Sequence, residues 1–201
     1  MPSISPHETR LILLDGAMQQ VEEYLAAVSA DPPEALREDK PAGPRIMLMS
    51  SAVQEALHDV LRHATDATTD ANQDAVRAAL VRACGMMIKL ADTVVGEMPE
   101  RAVESPLAQP GHAVGFVRGK AEQLLLTDPD GRGPAGPPAS VNSRWVAELL
   151  YETSGPVRLY FSGAICENVG SQHQAVRGLL EQAAVAVTGV VALSERELTG
   201  R

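Results

Sequence analysis

Aromatic side chains are scarce in this sequence of 201 residues. Phe, Tyr and Trp together make up 3% of the chain, with a single Trp. β-Sandwiches and barrels draw more heavily on aromatic and β-branched residues, so the composition argues against them. A core of Leu, Val, Ile, Met and Ala favours helices packed on helices, because small side chains let helices approach closely. We therefore predict an all-α fold in a single domain over residues 1–201.

Positive charge is also in short supply. The chain has 17 Lys and Arg against 26 Asp and Glu, which gives a formal net charge of −9. Nucleic-acid backbones and anionic membranes would repel such a chain, so we expect neither as a partner. Arg outnumbers Lys by 14 to 3, a bias typical of GC-rich bacterial genomes.

The sequence has only two cysteines and shows no pattern typical of a targeting signal. The two cysteines, Cys84 and Cys166, lie in apolar helical contexts and form no Cys-x-x-Cys pair, so we expect free, buried thiols in a reducing compartment. The N-terminal residues lack the pattern of a signal peptide, and no apolar run approaches the roughly 20 residues needed to cross a bilayer. A cytoplasmic location is the expectation.

Apolar spacing predicts six or seven helices. Ser5, Pro6 and Glu8 form a helix start, and the apolar stripe that follows ends near Ala30. Gly155-Pro156 predicts a break, after which we favour helix over a strand that would have nothing to pair with. The other predicted helices cover about 44–64, 72–98, 116–127, 140–153 and 172–198, and the Pro/Gly-rich stretch 128–139 is predicted to be a mobile linker.

A short internal echo links two of these helices. Ala75-Val76-Arg77 recurs as Ala175-Val176-Arg177, with apolar residues following at the same spacing. The echo predicts two equivalent core helices, and a duplication into two helical-hairpin halves stays open. The last helix is apolar on most sides around 185–193, so it is either the centre of the bundle or the seam of a homodimer.

The densest polar cluster lies on the second predicted helix. Carboxylates and imidazoles one turn apart can hold metal ions inside bundles, although a complete di-iron set would need a second Glu-x-x-His, which is absent. A solvated helix face with charge pairs is the alternative. The candidate metal ligands are Glu55, His58, Asp59 and His63, and Arg62 lies among them.

Residues 55–62, followed after a polar loop by 76–83, resemble the two central helices of the MazG-like all-α nucleotide pyrophosphohydrolases. In that family four acids on two helices bind Mg²⁺, which draws in the triphosphate and activates a water. The resemblance implies that Glu55 and Asp59 stand at two acidic positions of the first helix, with Ala56 in place of another acid.

The second acidic pair of that family is missing. Ala79 and Arg82 stand where the resemblance places its Glu and Asp, and Leu179 and Gln182 occupy the same places in the second copy. Moving the register restores only Asp92.

Three functions follow, in order of preference. The first is a non-catalytic helical bundle that acts by self-association or by binding a protein partner. The second is a Mg²⁺- or Mn²⁺-dependent hydrolase of a nucleotide or other phosphorylated small molecule, with Glu55 and Asp59 as catalytic residues and Arg62 on the phosphate. The third is a small apolar ligand bound between helices, against a wall formed by Trp145, Tyr151, Tyr160 and Phe161.

Overall fold

The computed structural model describes residues 5–32, 37, 41–64, 70–96, 112–127, 141–166 and 169–199. The stretch 128–139, which the sequence marks as a linker, lies outside this part of the chain. Six helices and no strand occur in the described ranges, which confirms the all-α prediction. The helices are α1 (Pro6–Ala30), α2 (Ala42–Ala64), α3 (Asp70–Gly96), α4 (His112–Thr127), α5 (Ser143–Cys166) and α6 (Val169–Thr199).

Side-chain caps set the starts of α1 and α5. The Glu8 backbone N–H donates to Ser5 Oγ at 3.2 Å, and the Ser5 backbone N–H donates to Glu8 Oε2 at 2.8 Å, so the predicted capping box is present. At α5, the backbone N–H of Trp145 donates to Asn142 Oδ1 at 3.0 Å. Both caps satisfy N–H groups that the first turn of a helix leaves without a partner.

Helix α6 is the centre of the bundle. It packs against α1, α3, α4 and α5, while α2 covers α3 and α5. Every residue from Ala183 to Leu193 is buried. The expectation that no stretch is long and apolar enough to cross a bilayer is wrong by length and composition, because Gln172–Thr199 meets both criteria. However, 78% of its most apolar window is buried among the other helices. A central position in the bundle accounts for that apolar character.

Three glycines on helices α3 and α6 make room for rings from neighbouring helices. A Cβ at Gly189 would lie 2.7 Å from the ring of Trp145, and one at Gly178 would lie 2.6 Å from the ring of Pro156. The ring of Tyr24 lies against Gly85 in the same way. These rings therefore fit into the bundle at points where the facing helix lacks a side chain.

The predicted break at Gly155-Pro156 is wrong. Helix α5 runs without interruption through Pro156. Proline removes one backbone hydrogen bond and normally kinks or ends a helix. Here the helix continues, and the ring of Pro156 packs closely against Gly178 of α6. Residues 157–161 are helical, as predicted.

The echoed segments belong to α3 and α6, which pack against each other. Val76 and Val176 are both fully or almost fully buried. The arginines that follow them differ: the Arg77 side chain is 17% exposed and pairs with Asp74 and with Glu197 of α6, whereas the Arg177 side chain is 65% exposed and pairs with Glu181. The two helices share an apolar core role and differ in their polar contacts.

Candidate functional site

The polar face of α2 carries the predicted site residues. Glu55, His58 and Arg62 are exposed, while Asp59 and His63 are partly buried. The Nδ1 atom of His58 donates to the backbone oxygen of Gln54 at 2.7 Å. In the neutral ring this bond makes Nε2 the acceptor.

Asp59 is held by two arginines from different helices. Its Oδ2 accepts from Nη2 of Arg82 on α3 at 2.7 Å, and its Oδ1 lies 3.1 Å from Nη1 of Arg62 on the next turn of α2. Each carboxylate oxygen therefore faces a different guanidinium group. The carboxylate is 30% exposed, and the side chains of Arg62 and Arg82 are 75% and 45% exposed.

Tyr24 of α1 completes a meeting point of three helices. Its ring lies against Gly85, one turn along α3 from Arg82. Burial raises the pKa of the Tyr24 phenol, and the positive charge of Arg82 partly opposes that rise. The phenol therefore lies within electrostatic range of the guanidinium group that binds Asp59.

Asp92 lies far from this meeting point. The hydroxyl of Thr93 contacts the sulfur of Met49 at 3.5 Å, which places this end of α3 beside the beginning of α2. Arg82 and Asp92 are ten residues apart on one helix, so about 15 Å separate them along its axis. Asp59 and Asp92 therefore do not converge on one cavity.

The structure does not bring the predicted metal ligands of α2 together with further acids or imidazoles in its described ranges. Within the described ranges, no three His, Cys, Asp or Glu side chains lie close enough to hold a metal ion together. The four candidate metal ligands from the sequence analysis are Glu55, His58, Asp59 and His63, all on α2.

Trp145 and Tyr151 of α5 do not lie on one buried wall. Trp145 is 6% exposed and contacts the α6 backbone at Gly189, whereas Tyr151 is 70% exposed. The side chains of Tyr160 and Phe161 lie outside the described part of the chain. The buried indole Nε1 of Trp145 has no hydrogen-bond partner among the residues that the structure describes.

The sequence alone does not predict that Arg82 and Tyr24 lie near Asp59. Arg82 stands where the MazG-like pattern has an acid, so the pattern marks it as a loss and not as a ligand. Tyr24 lies 58 positions before Arg82 in the sequence. Their proximity depends on the relative register of α1, α2 and α3, which core packing sets.

Comparison with known proteins adds no relationship to this geometry. No protein-family model, no curated protein and no solved structure matches the chain. The resemblance to MazG-like enzymes thus stays a prediction from the residues quoted for it.

Proposed function

We propose that the protein is a non-catalytic helical bundle that acts by binding a protein surface, with a second copy of the chain as the first partner to test. The observation that carries the proposal is a pair of adjacent apolar side chains on the outer face of α2. Met47 is 60% exposed and Leu48 is 44% exposed, although both neighbours, Ile46 and Met49, are buried.

Because α6 is buried at the centre of the bundle, it does not offer a surface for a second copy of the chain. Its apolar faces are covered by four helices of the same chain, so the protein's own core accounts for them. Any surface for a second copy must then lie on the outer helices. Tyr151, the most exposed of the large apolar side chains in the described ranges, lies on α5, which packs beside α2.

Single exposed apolar residues are common on protein surfaces, so the pair on α2 needs a direct test. The test is the mass in solution, measured by size exclusion with light scattering at tens of micromolar protein. We expect a species about twice the 21.3 kDa mass of the chain. The double variant Met47→Glu/Leu48→Glu should weaken association at least about tenfold, because it places charge in a surface that association would dry.

A matched control removes an exposed leucine elsewhere. Leu126 on α4 is 43% exposed, close to the value for Leu48. Leu126→Glu should leave the mass unchanged. A wild-type chain that stays monomeric at every concentration would refute self-association, and an equal effect of Leu126→Glu would refute the assignment to α2.

A further inference from the structure

We propose that Met47 is an oxidation site, and that its conversion to the sulfoxide by a peroxide weakens the association of two copies of the chain. This proposal rests on the proposed function, because Met47 belongs to the apolar pair on α2 that is assigned to self-association. It adds a modification, and the chemical signal that causes it, to that surface.

Exposure separates Met47 from the other methionines of the described ranges. Met47 is 60% exposed, whereas each of the other four is at most 7% exposed. A peroxide dissolved in water therefore reaches the side chain of Met47 while the bundle stays closed. The four methionines of the core are Met18, Met49, Met86 and Met87.

The neighbours of Met47 on α2 show that position, not residue type alone, makes it reactive. Met49, two residues later, is fully buried, and its sulfur accepts a hydrogen bond from the hydroxyl of Thr93 at 3.5 Å. Leu48 is exposed but has only carbon and hydrogen in its side chain, so a peroxide does not oxidise it. Met47 is therefore the member of the exposed pair whose polarity can change.

The reaction is a two-electron oxidation by hydrogen peroxide. A lone pair of the Met47 sulfur attacks one oxygen atom of the peroxide, so that a sulfur–oxygen bond forms as the oxygen–oxygen bond breaks. The second oxygen takes up the proton of the transferred hydroxyl group and leaves as water. The thioether is oxidised to the sulfoxide, the peroxide is reduced, and no further reactant is needed.

The sulfoxide opposes association because it is polar, whereas the thioether is nearly apolar. Association removes the side chain from water, and a polar group that is buried without a hydrogen-bond partner costs free energy. In a dimer with two-fold symmetry the same surface serves both copies, so each copy brings one sulfoxide into the interface. We expect the oxidised chain to associate at least about tenfold more weakly.

Self-association also protects Met47 from the oxidant. The side chain is exposed in the single chain and would be covered in the dimer. Peroxide therefore reacts with the dissociated chain, and the sulfoxide then keeps that chain dissociated. The rate of oxidation at Met47 should fall as the protein concentration rises, because a smaller fraction of the chains is free.

The test treats the native protein with hydrogen peroxide and follows two quantities. Peptide mapping by mass spectrometry should show one added oxygen at Met47 before any of the four core methionines reacts. Light scattering should show the dimer mass falling toward that of one chain as the Met47 sulfoxide accumulates. Methionine sulfoxide reductases with a thiol reductant should restore the dimer mass.

Met47→Leu is the matched control. Leucine keeps the apolar character and nearly the volume of methionine but has no sulfur, so the variant should associate as wild type does. Peroxide should leave its mass in solution unchanged. Every other methionine and both cysteines remain in this variant, so oxidation at those positions affects both proteins equally.

Three results would overturn the oxidation site while self-association stands. They are core methionines that react as fast as Met47, a Met47 sulfoxide that associates as tightly as the reduced chain, and an equal effect of peroxide on Met47→Leu. A wild-type chain that is monomeric before any peroxide is added would instead overturn self-association, and the regulation by peroxide with it.

Discussion

Asp92 is a carboxyl group that the fold leaves half-buried on α3. Burial raises its pKa, and the positive charge of Lys89, one turn earlier, opposes part of that rise. The folded protein therefore binds a proton at Asp92 more tightly than the unfolded chain does. At a pH below the ordinary Asp pKa, Asp92 is protonated in both the folded and the unfolded protein. The folded protein then holds no buried charge at Asp92, and its stability is highest. As pH rises through the raised pKa, the folded state must hold a buried charge and stability falls.

Replacement of Asp92 by Asn should consequently stabilise the protein at neutral pH. The variant's advantage in melting temperature should be largest near pH 7 and should shrink toward zero as pH falls below the ordinary Asp pKa of about 4. Melting curves across this range provide the measurement. Glu122→Gln, on the exposed face of α4, is the control and should show no such trend. An Asp92→Asn variant that is less stable than wild type at pH 7 would show that the carboxylate makes a favourable contact.

Among the helices, the main packing feature is the close contact between glycines of one helix and rings of another. Rings from α1 and α5 lie against glycines of α3 and α6, and the ring of Pro156 is one of them. Glycine costs helix stability because it loses more backbone freedom on folding than other residues. Here the absence of a side chain leaves room for the rings of Trp145 and Tyr24.

Gly189→Ala tests this balance directly. The new methyl group would lie 2.7 Å from Cη2 of Trp145 and 3.1 Å from Cδ1 of Leu80. Overpacking costs about 1–3 kcal/mol, while the gain in helix propensity returns only about 0.5–1 kcal/mol. Urea denaturation should therefore show a net loss, and the fluorescence of Trp145 should shift because its ring must move.

Gly119→Ala on α4 is the matched control for that substitution. It is exposed, and apart from its chain neighbours and the adjacent backbone of α4, no atom of the described residues lies within 4 Å of the added methyl group. The same change should here raise the free energy of unfolding by about 0.5–1 kcal/mol. Opposite signs at the two positions would establish ring packing as the cause, and a stabilised Gly189→Ala would contradict it.

Across the whole molecule, the central helix α6 is covered by its neighbours, and ion pairs link its C-terminal end to α1 and α3. Arg10 of α1 pairs with Glu195 of α6 at 2.7 Å, and Arg77 of α3 pairs with Glu197. These pairs join the end of α6 to the beginnings of two other helices. The core below them has no exposed opening at Cys84, which is 0% exposed.

Cys84 can therefore report on unfolding of the whole molecule. Burial raises the pKa of its thiol to about 12, so almost no thiolate exists in the native state at neutral pH. In a Cys166→Ser background, we expect a thiol reagent to modify Cys84 only at the rate of global unfolding. The rate should rise with urea in parallel with the loss of helix measured by circular dichroism. Rapid modification without denaturant would refute a sealed core.

Local sequence determined the elements of this protein, because the forces that set them act over a few residues. Ser5 and Glu8 cap α1 as their spacing predicts, and apolar periodicity marks the helices without tertiary information. The boundaries moved by a few residues, and α4 begins at His112, four residues before the predicted position. Helix against strand at 157–161 was also decided correctly from pattern alone.

Tertiary structure alone decided which residues meet. Pro156 lies inside a continuous helix, with its ring against Gly178 of another helix, and local propensity contains no record of that contact. Asp59 meets Arg82 rather than Asp92 because the register of α2 against α3 is set by core packing. The sequence could thus specify an acidic all-α bundle and nominate Glu55 and Asp59. The pairing of Asp59 with Arg82 depends on how α2 packs against α3, which residues close together in the chain do not fix.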